Sequence, residues 1–237
     1  PFSVLMISRS TLFPFIVRKV IFMRFMIELA LLFFILYVIW ERHHTSAGNQ
    51  TFWEEYKFIF KSSIFWDITI FILIFTISGF TGVDFKKSFW GNFERGESIF
   101  QFLHYYLFFL LCLLGFKNEN DWKRLFLFSI LAAIFLNLYG YAQLLGVEGV
   151  ISKSPGRMQG TLGNPAYVGA YLMFAMFYAS YLFITPKSKG LKIFLAISFL
   201  MSLIGFLFAQ TRGSLLGLIA GLFLGFLYLI WKEALKK

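Results

Sequence analysis

Three arginines, Arg95, Arg157 and Arg212, stand just ahead of apolar stretches that start near residues 98, 165 and 214. That placement suits the binding of a phosphate or pyrophosphate. A helix start carries unpaired N–H groups and about half a positive charge. A guanidinium adds a planar fork that grips phosphate oxygens two at a time. Other polar residues collect at the same places. The segment GRMQGTLGNPAYVGAYL, residues 156–172, sets Gln159 and Asn164 near Arg157. Asn164 is a good N-cap and Pro165 suits the first helical position, while Gly160 and Gly163 allow tight turns. The segment AQTRGSLLGLIAGLFLGF, residues 209–226, sets Gln210 and Thr211 beside Arg212. Arg157 also has a plainer reading, in which its guanidinium reaches lipid headgroups and Asn164 only caps a helix. Arg212 lies between two apolar runs with almost no loop to carry it into water, a costly position that points to function.

Weaker candidates lie elsewhere. Asn137 and Tyr141 are spaced i, i+4 in the run 124–145, close to Gln143. They either line a cavity or hydrogen-bond between helices. Arg24 and Glu28, also at i, i+4, are placed to neutralise each other. His104 lies inside an apolar stretch and reads as a buried structural residue, whereas His43 and His44 fall in a polar link. No HExxH, paired-carboxylate or Walker pattern occurs, which argues against a metalloprotease or nucleotide-driven enzyme. The single cysteine, Cys112, excludes an internal disulfide and a cysteine-based metal site. Neither a cofactor nor a metal is expected.

The elements that must position these groups are set by composition. The chain of 237 residues is 59% hydrophobic, 22% aromatic and only 14% charged. A soluble domain of that size cannot bury so much apolar surface, so the surrounding solvent is lipid. Backbone polar groups in lipid must satisfy one another, which leaves helices. The expected fold is therefore an all-α, polytopic membrane helix bundle forming a single transmembrane domain over 1–237. Seven runs reach spanning length: 22–40, 64–83, 98–116, 124–145, 165–184, 192–210 and 214–231. Whether residues 1–21 belong to another span is open. The chain starts at Pro1 and stops just past an apolar run, which reads as a fragment of a longer protein.

The formal charge of +10 needs no nucleic acid, because loops facing anionic headgroups carry such an excess. The links 41–63, 117–124, 185–192 and the tail 232–237 hold twelve of the 22 Lys and Arg. By the positive-inside rule they are cytoplasmic, so the helices starting near 98, 165 and 214 begin at the outer face. Gly213, Gly217, Gly221 and Gly225 recur every fourth residue, a stripe that predicts close approach of another helix.

At its two polar islands the sequence resembles the O-antigen ligase and O-antigen polymerase superfamily of bacterial membrane glycosyltransferases. GRMQGTLGNPAYVGAYL is similar to that superfamily's arginine-glycine-asparagine-proline segment, and QTRGSLLGLIAG to its arginine-glycine motif opening an outer helix. The run GVDFKKSFWGNFERGESIFQFLHYYLFF, residues 82–109, is similar to a subset whose ligase domain precedes tetratricopeptide repeats. Related polymerases, protein O-oligosaccharyltransferases and a bicarbonate transporter share the motifs.

The resemblance implies transfer of a glycan from undecaprenyl pyrophosphate to an acceptor hydroxyl, in the ligases that of the lipid A core. This is a step of lipopolysaccharide and cell-envelope synthesis at the periplasmic face of the bacterial inner membrane. It implies inversion at the anomeric carbon without ATP or an essential metal. Partners would be a lipid-linked glycan donor, a lipid or protein acceptor and membrane lipids. Outward arginines hold the pyrophosphate in this superfamily, which carries Arg157 and Arg212 over; Arg95 joins them by its place before a helix. Gln159, Asn164, Gln210, Asn137 and Tyr141 are candidate supporting residues. The superfamily's acceptor-activating histidine lies in a long loop after these spans, beyond Lys237, and none of His43, His44 or His104 matches it. An anion transporter would use the same outward helix ends, yet the sequence shows neither inverted repeats nor a Pro/Gly break at mid-depth.

Overall fold

A computed structural model describes residues 1–44, 56–92, 96–151, 156–184 and 188–234. All regular structure among them is helical. The main elements are α1 (Val17–His44), α2 (Ser63–Thr81), α3 (Phe85–Trp90), α4 (Ile99–Gly115), α5 (Glu119–Leu144), α6 (Pro165–Ile184), α7 (Lys189–Ala209) and α8 (Arg212–Ala234). Six of these, all but α3 and α4, are long and apolar enough to cross a membrane, which makes the chain a multi-pass membrane protein. The expected run 98–116 is α4, whose 17 residues reach about 26 Å at 1.5 Å per residue. It is slightly short of a full crossing.

Helix α1 begins at Val17 rather than near 22. The early start follows from local hydrogen bonding. Lys19 lies in the first turn, where its Nζ donates to the carbonyls of Phe15 (2.8 Å) and Met6 (3.0 Å). A cation satisfied in this way does not end the helix.

The chain divides into two compact units, one formed by Met6–Trp122 and the other by Pro1–Leu5 with Lys123–Lys237. In the first, α1 and α4 run in the same direction and α2 runs opposite. Arg24 and Glu28 of α1 meet Gln101 and His104 of α4 in register. Thr69 of α2 shares a 2.8 Å hydrogen bond with Tyr106, and Gly79 packs on Ile99. Glu28 acts on Arg24 electrostatically, as their spacing predicts, and each also takes a hydrogen-bond partner on α4. The Arg24 Nε donates to Gln101 Oε1 at 2.8 Å, and its guanidinium lies 4.8 Å from the centre of the Phe100 ring. Crossing to α4 satisfies the charges and joins two helices. His104 is buried, as expected. Its Nδ1 donates to the Phe100 carbonyl at 2.8 Å and its Nε2 lies 3.0 Å from Glu28 Oε1.

In the second unit α5 and α7 run one way, α6 and α8 the other. The core joins Ala133 and Leu136 of α5 to Val168, Leu172 and Met176 of α6, with Phe206 and Ala209 of α7. Phe126 stacks on Tyr178 at 4.4 Å, and the Tyr171 hydroxyl donates to the Ser129 carbonyl at 3.1 Å. The glycine stripe of α8 packs differently from the expected backbone contact. A Cβ at Gly217 would meet the Met173 sulfur at 3.5 Å, and one at Gly221 would meet the Phe177 ring at 3.2 Å. Gly213 and Gly225 face open space among the described residues. Long side chains of α6 fill the groove that the stripe leaves.

Candidate anion site at paired helix starts

The polar segment 156–164 is folded into the second unit by residues on α5 and α7. Gln143 of α5 donates through Nε2 to the carbonyls of Ile151 (2.7 Å) and Gly160 (3.1 Å). The Tyr139 hydroxyl accepts from the Ile151 N–H at 3.0 Å, and the Met158 N–H donates to the Phe208 carbonyl at 3.0 Å. Met158 is completely buried against Gly140 and Gly205, which leave room for its thioether where any Cβ would collide. Gly163, with φ of 71°, then turns the chain in the left-handed region open to glycine. Asn164 follows as the cap. Its Oδ1 accepts from the Ala166 N–H at 2.9 Å, and α6 starts at Pro165. Both halves of that local expectation hold.

Arg157 leaves this segment and lies across the end of α7. Its Nε and Nη2 donate to the Ala209 carbonyl at 3.3 and 3.1 Å, and Nη2 also donates to the Gln210 carbonyl at 3.1 Å. The last carbonyls of a helix lack intrahelical partners and carry partial negative charge, so a cation here closes α7. Gln210 is left-handed with φ of 50°, and the chain reverses there into α8. Arg212 is the first residue of α8 and is exposed.

The two helix starts are adjacent. A Cβ at Gly169, in the second turn of α6, would collide with Thr211 and Ser214 at the beginning of α8. Helices α6 and α8 therefore run parallel with their N-terminal ends together. Arg157 and Arg212 stand at that same end, Arg157 being bonded two residues before Arg212. The arrangement gathers two positive helix ends and two guanidiniums, a setting that attracts an anion. The Arg157 fork is partly committed to carbonyls, and Arg212 is the more accessible cation.

The remaining candidates fall in other places. Asn137 is fully buried on α5, with its Nδ2 3.5 Å from Ser202 Oγ of α7; its Oδ1 has no hydrogen-bond partner. The Tyr141 hydroxyl donates to the Met201 carbonyl of α7. Both join α5 to α7, the interhelical one of their two readings. Gln159 is buried at the base of the segment, and Gln210 contributes its carbonyl to Arg157. Arg95 lies outside the described residues. Gln143 holds the segment at Gly160, and with Tyr139, four residues before it on α5, it also holds Ile151; Tyr139 was not among the sequence candidates, although that spacing was visible. Comparison with protein-family models, with curated proteins and with solved structures finds no match to this chain.

Proposed function

We propose that the chain is the donor-binding part of a bacterial inner-membrane glycosyltransferase. In this reading a glycan moves from a polyprenyl pyrophosphate to an acceptor hydroxyl at the periplasmic face. The observation that carries it is the meeting of two parallel helix starts, α6 and α8, with Arg157 and Arg212 at their rim. The motif resemblance around both arginines points the same way.

Departure of the pyrophosphate develops negative charge as the glycosidic C–O bond breaks. Fixed guanidiniums and helix N–H groups aimed at that charge stabilise the transition state without reorganising. Arg212 would take the phosphate oxygens directly. Arg157, oriented by its two carbonyl bonds, would offer its remaining N–H groups and fix the turn that presents Arg212. The α6 and α8 helices run unbroken over their described lengths, which favours an enzyme over a transporter with helices broken at mid-depth.

The test is glycan transfer from a polyprenyl pyrophosphate donor by the full-length protein in proteoliposomes, with acceptor on either side. Transfer confined to the face that bears residue 212, and lost in folded Arg212→Ala, supports the reading. Unchanged transfer by that variant refutes it.

A further inference from the structure

We propose that Glu28 and His104 form a binding site for a single exchangeable proton in the first unit, and that loss of this proton weakens the hold of α1 on α4. The site is independent of the reading given to α6 and α8. Glu28 lies well inside the span Val17–Glu41, and His104 lies inside the apolar helix α4. Ionisable groups at such depth are costly, and where they occur they are paired and functional.

The hydrogen bonds fix the proton count. Nδ1 of His104 lies 2.8 Å from the Phe100 carbonyl, which only accepts, so Nδ1 carries a hydrogen. A neutral ring then presents a bare lone pair at Nε2, 3.0 Å from Oε1 of Glu28. An ionised carboxylate in that place would set lone pair against lone pair. The contact therefore closes only with one further proton, held either as carboxyl O–H···N or as imidazolium N–H···O. Both forms leave the pair neutral.

The surroundings let that proton leave. The Glu28 side chain is 58% exposed and that of His104 only 9%, so exchange runs through the carboxyl. Once the proton is gone the pair is negatively charged, and Arg24, one turn away on α1, offsets that charge. Glu28 thus has two partners. With the proton bound it bridges to His104 on α4; without it, Glu28 is left to Arg24 on its own helix. Arg24 itself stays in place, held by Gln101 Oε1 at 2.8 Å and against the Phe100 ring. The other described groups around Arg24 are Tyr105 of α4, which acts on it electrostatically, and Asp84, Lys86 and Lys87, which line the cleft on its outer side. Helix α2 meets α4 through Thr69, Phe75 and Gly79, none of them charged. Because the closed contact holds a proton that the open one releases, its stabilising effect is present at low pH and lost as pH rises.

The test uses the full chain in nanodiscs with His43→Gln and His44→Gln, which leaves His104 as the one histidine. Nitrogen NMR of the labelled ring and thermal unfolding are both recorded at about pH 5.5 and about pH 9, on either side of the ordinary histidine value. The expected result is a hydrogen on Nδ1 at both values, with the second proton shared between Nε2 and Glu28 at the lower pH and absent at the higher. Glu28→Gln, added to the same protein, supplies a permanent N–H to Nε2. The melting temperature should therefore fall with rising pH by about 2–4 °C more in the protein that keeps Glu28. A hydrogen on Nε2 with Nδ1 bare overturns the proposal. So does an unchanged protonation state between the two pH values, and so does an equal fall in melting temperature with and without Glu28→Gln.

Discussion

The guanidinium of Arg157 lies 3.1 Å from the carbonyl of Gln210, joining two segments 53 residues apart in sequence. This contact closes α7, shapes the left-handed turn at Gln210 and sets where α8 begins. Any ligand held at Arg212 therefore depends on Arg157 in two ways, through charge and through the turn.

That double role predicts a stability effect separate from any activity. Arg157→Ala leaves the carbonyls of Ala209 and Gln210 short of donors and should cost about 1–3 kcal/mol. Arg157→Lys keeps the charge but loses the fork, and should recover part of that loss. Thermal unfolding in detergent measures both. Identical melting of the alanine variant and the parent would mean that the contact contributes nothing.

The glycine stripe of α8 makes a position-specific prediction. Gly221→Leu drives a side chain into the Phe177 ring and should destabilise by about 1–3 kcal/mol through overpacking. Gly225→Leu points into open space among the described residues and should leave detergent stability within about 0.5 kcal/mol of the parent, apart from helix propensity. Equal losses at both positions would contradict the packing seen here.

Glu28 and His104 should be coupled. Nδ1 of His104 faces a carbonyl, which only accepts, so Nδ1 carries a proton; the contact with Glu28 needs another on Nε2 or on the carboxyl. A double-mutant cycle with Glu28→Gln and His104→Gln should show a coupling energy of about 1 kcal/mol. That value is modest because the Glu28 side chain is 58% exposed. Strict additivity in the unfolding free energies would show that the two do not interact.

What was legible in the sequence was local. Asn164, Pro165 and Gly163 predict the start of α6 because a cap, a fixed φ and a left-handed turn act within a few residues. Apolar run length likewise placed the long helices, since the bilayer fixes how long a span must be. Tertiary partners were not legible. The spacing of Arg24 and Glu28 predicts their electrostatic pairing, but not that Gln101 and His104 of α4 lie beside α1 and hydrogen-bond to them. Arg157 reads in the sequence as a phosphate ligand or a headgroup contact, and neither reading includes its carbonyl partners, which belong to a helix end 52 residues away. The glycine stripe predicts close approach of another helix, but spacing alone does not show that the side chains of Met173 and Phe177, rather than a backbone, meet it at Gly217 and Gly221.

The central claim is that the paired starts of α6 and α8 bind a pyrophosphate through Arg212. It is tested most directly by equilibrium binding of a fluorescent polyprenyl pyrophosphate to the full-length protein in nanodiscs, with the parent, Arg212→Lys and Arg212→Ala compared. Arg212 makes no hydrogen bond or ion pair within the described chain, so its removal reports on the ligand more cleanly than removal of Arg157. The account predicts that Arg212→Ala binds about tenfold or more weakly. Arg212→Lys should fall between the two, because the charge persists without the planar fork. Equal affinity of parent and folded Arg212→Ala would contradict the account.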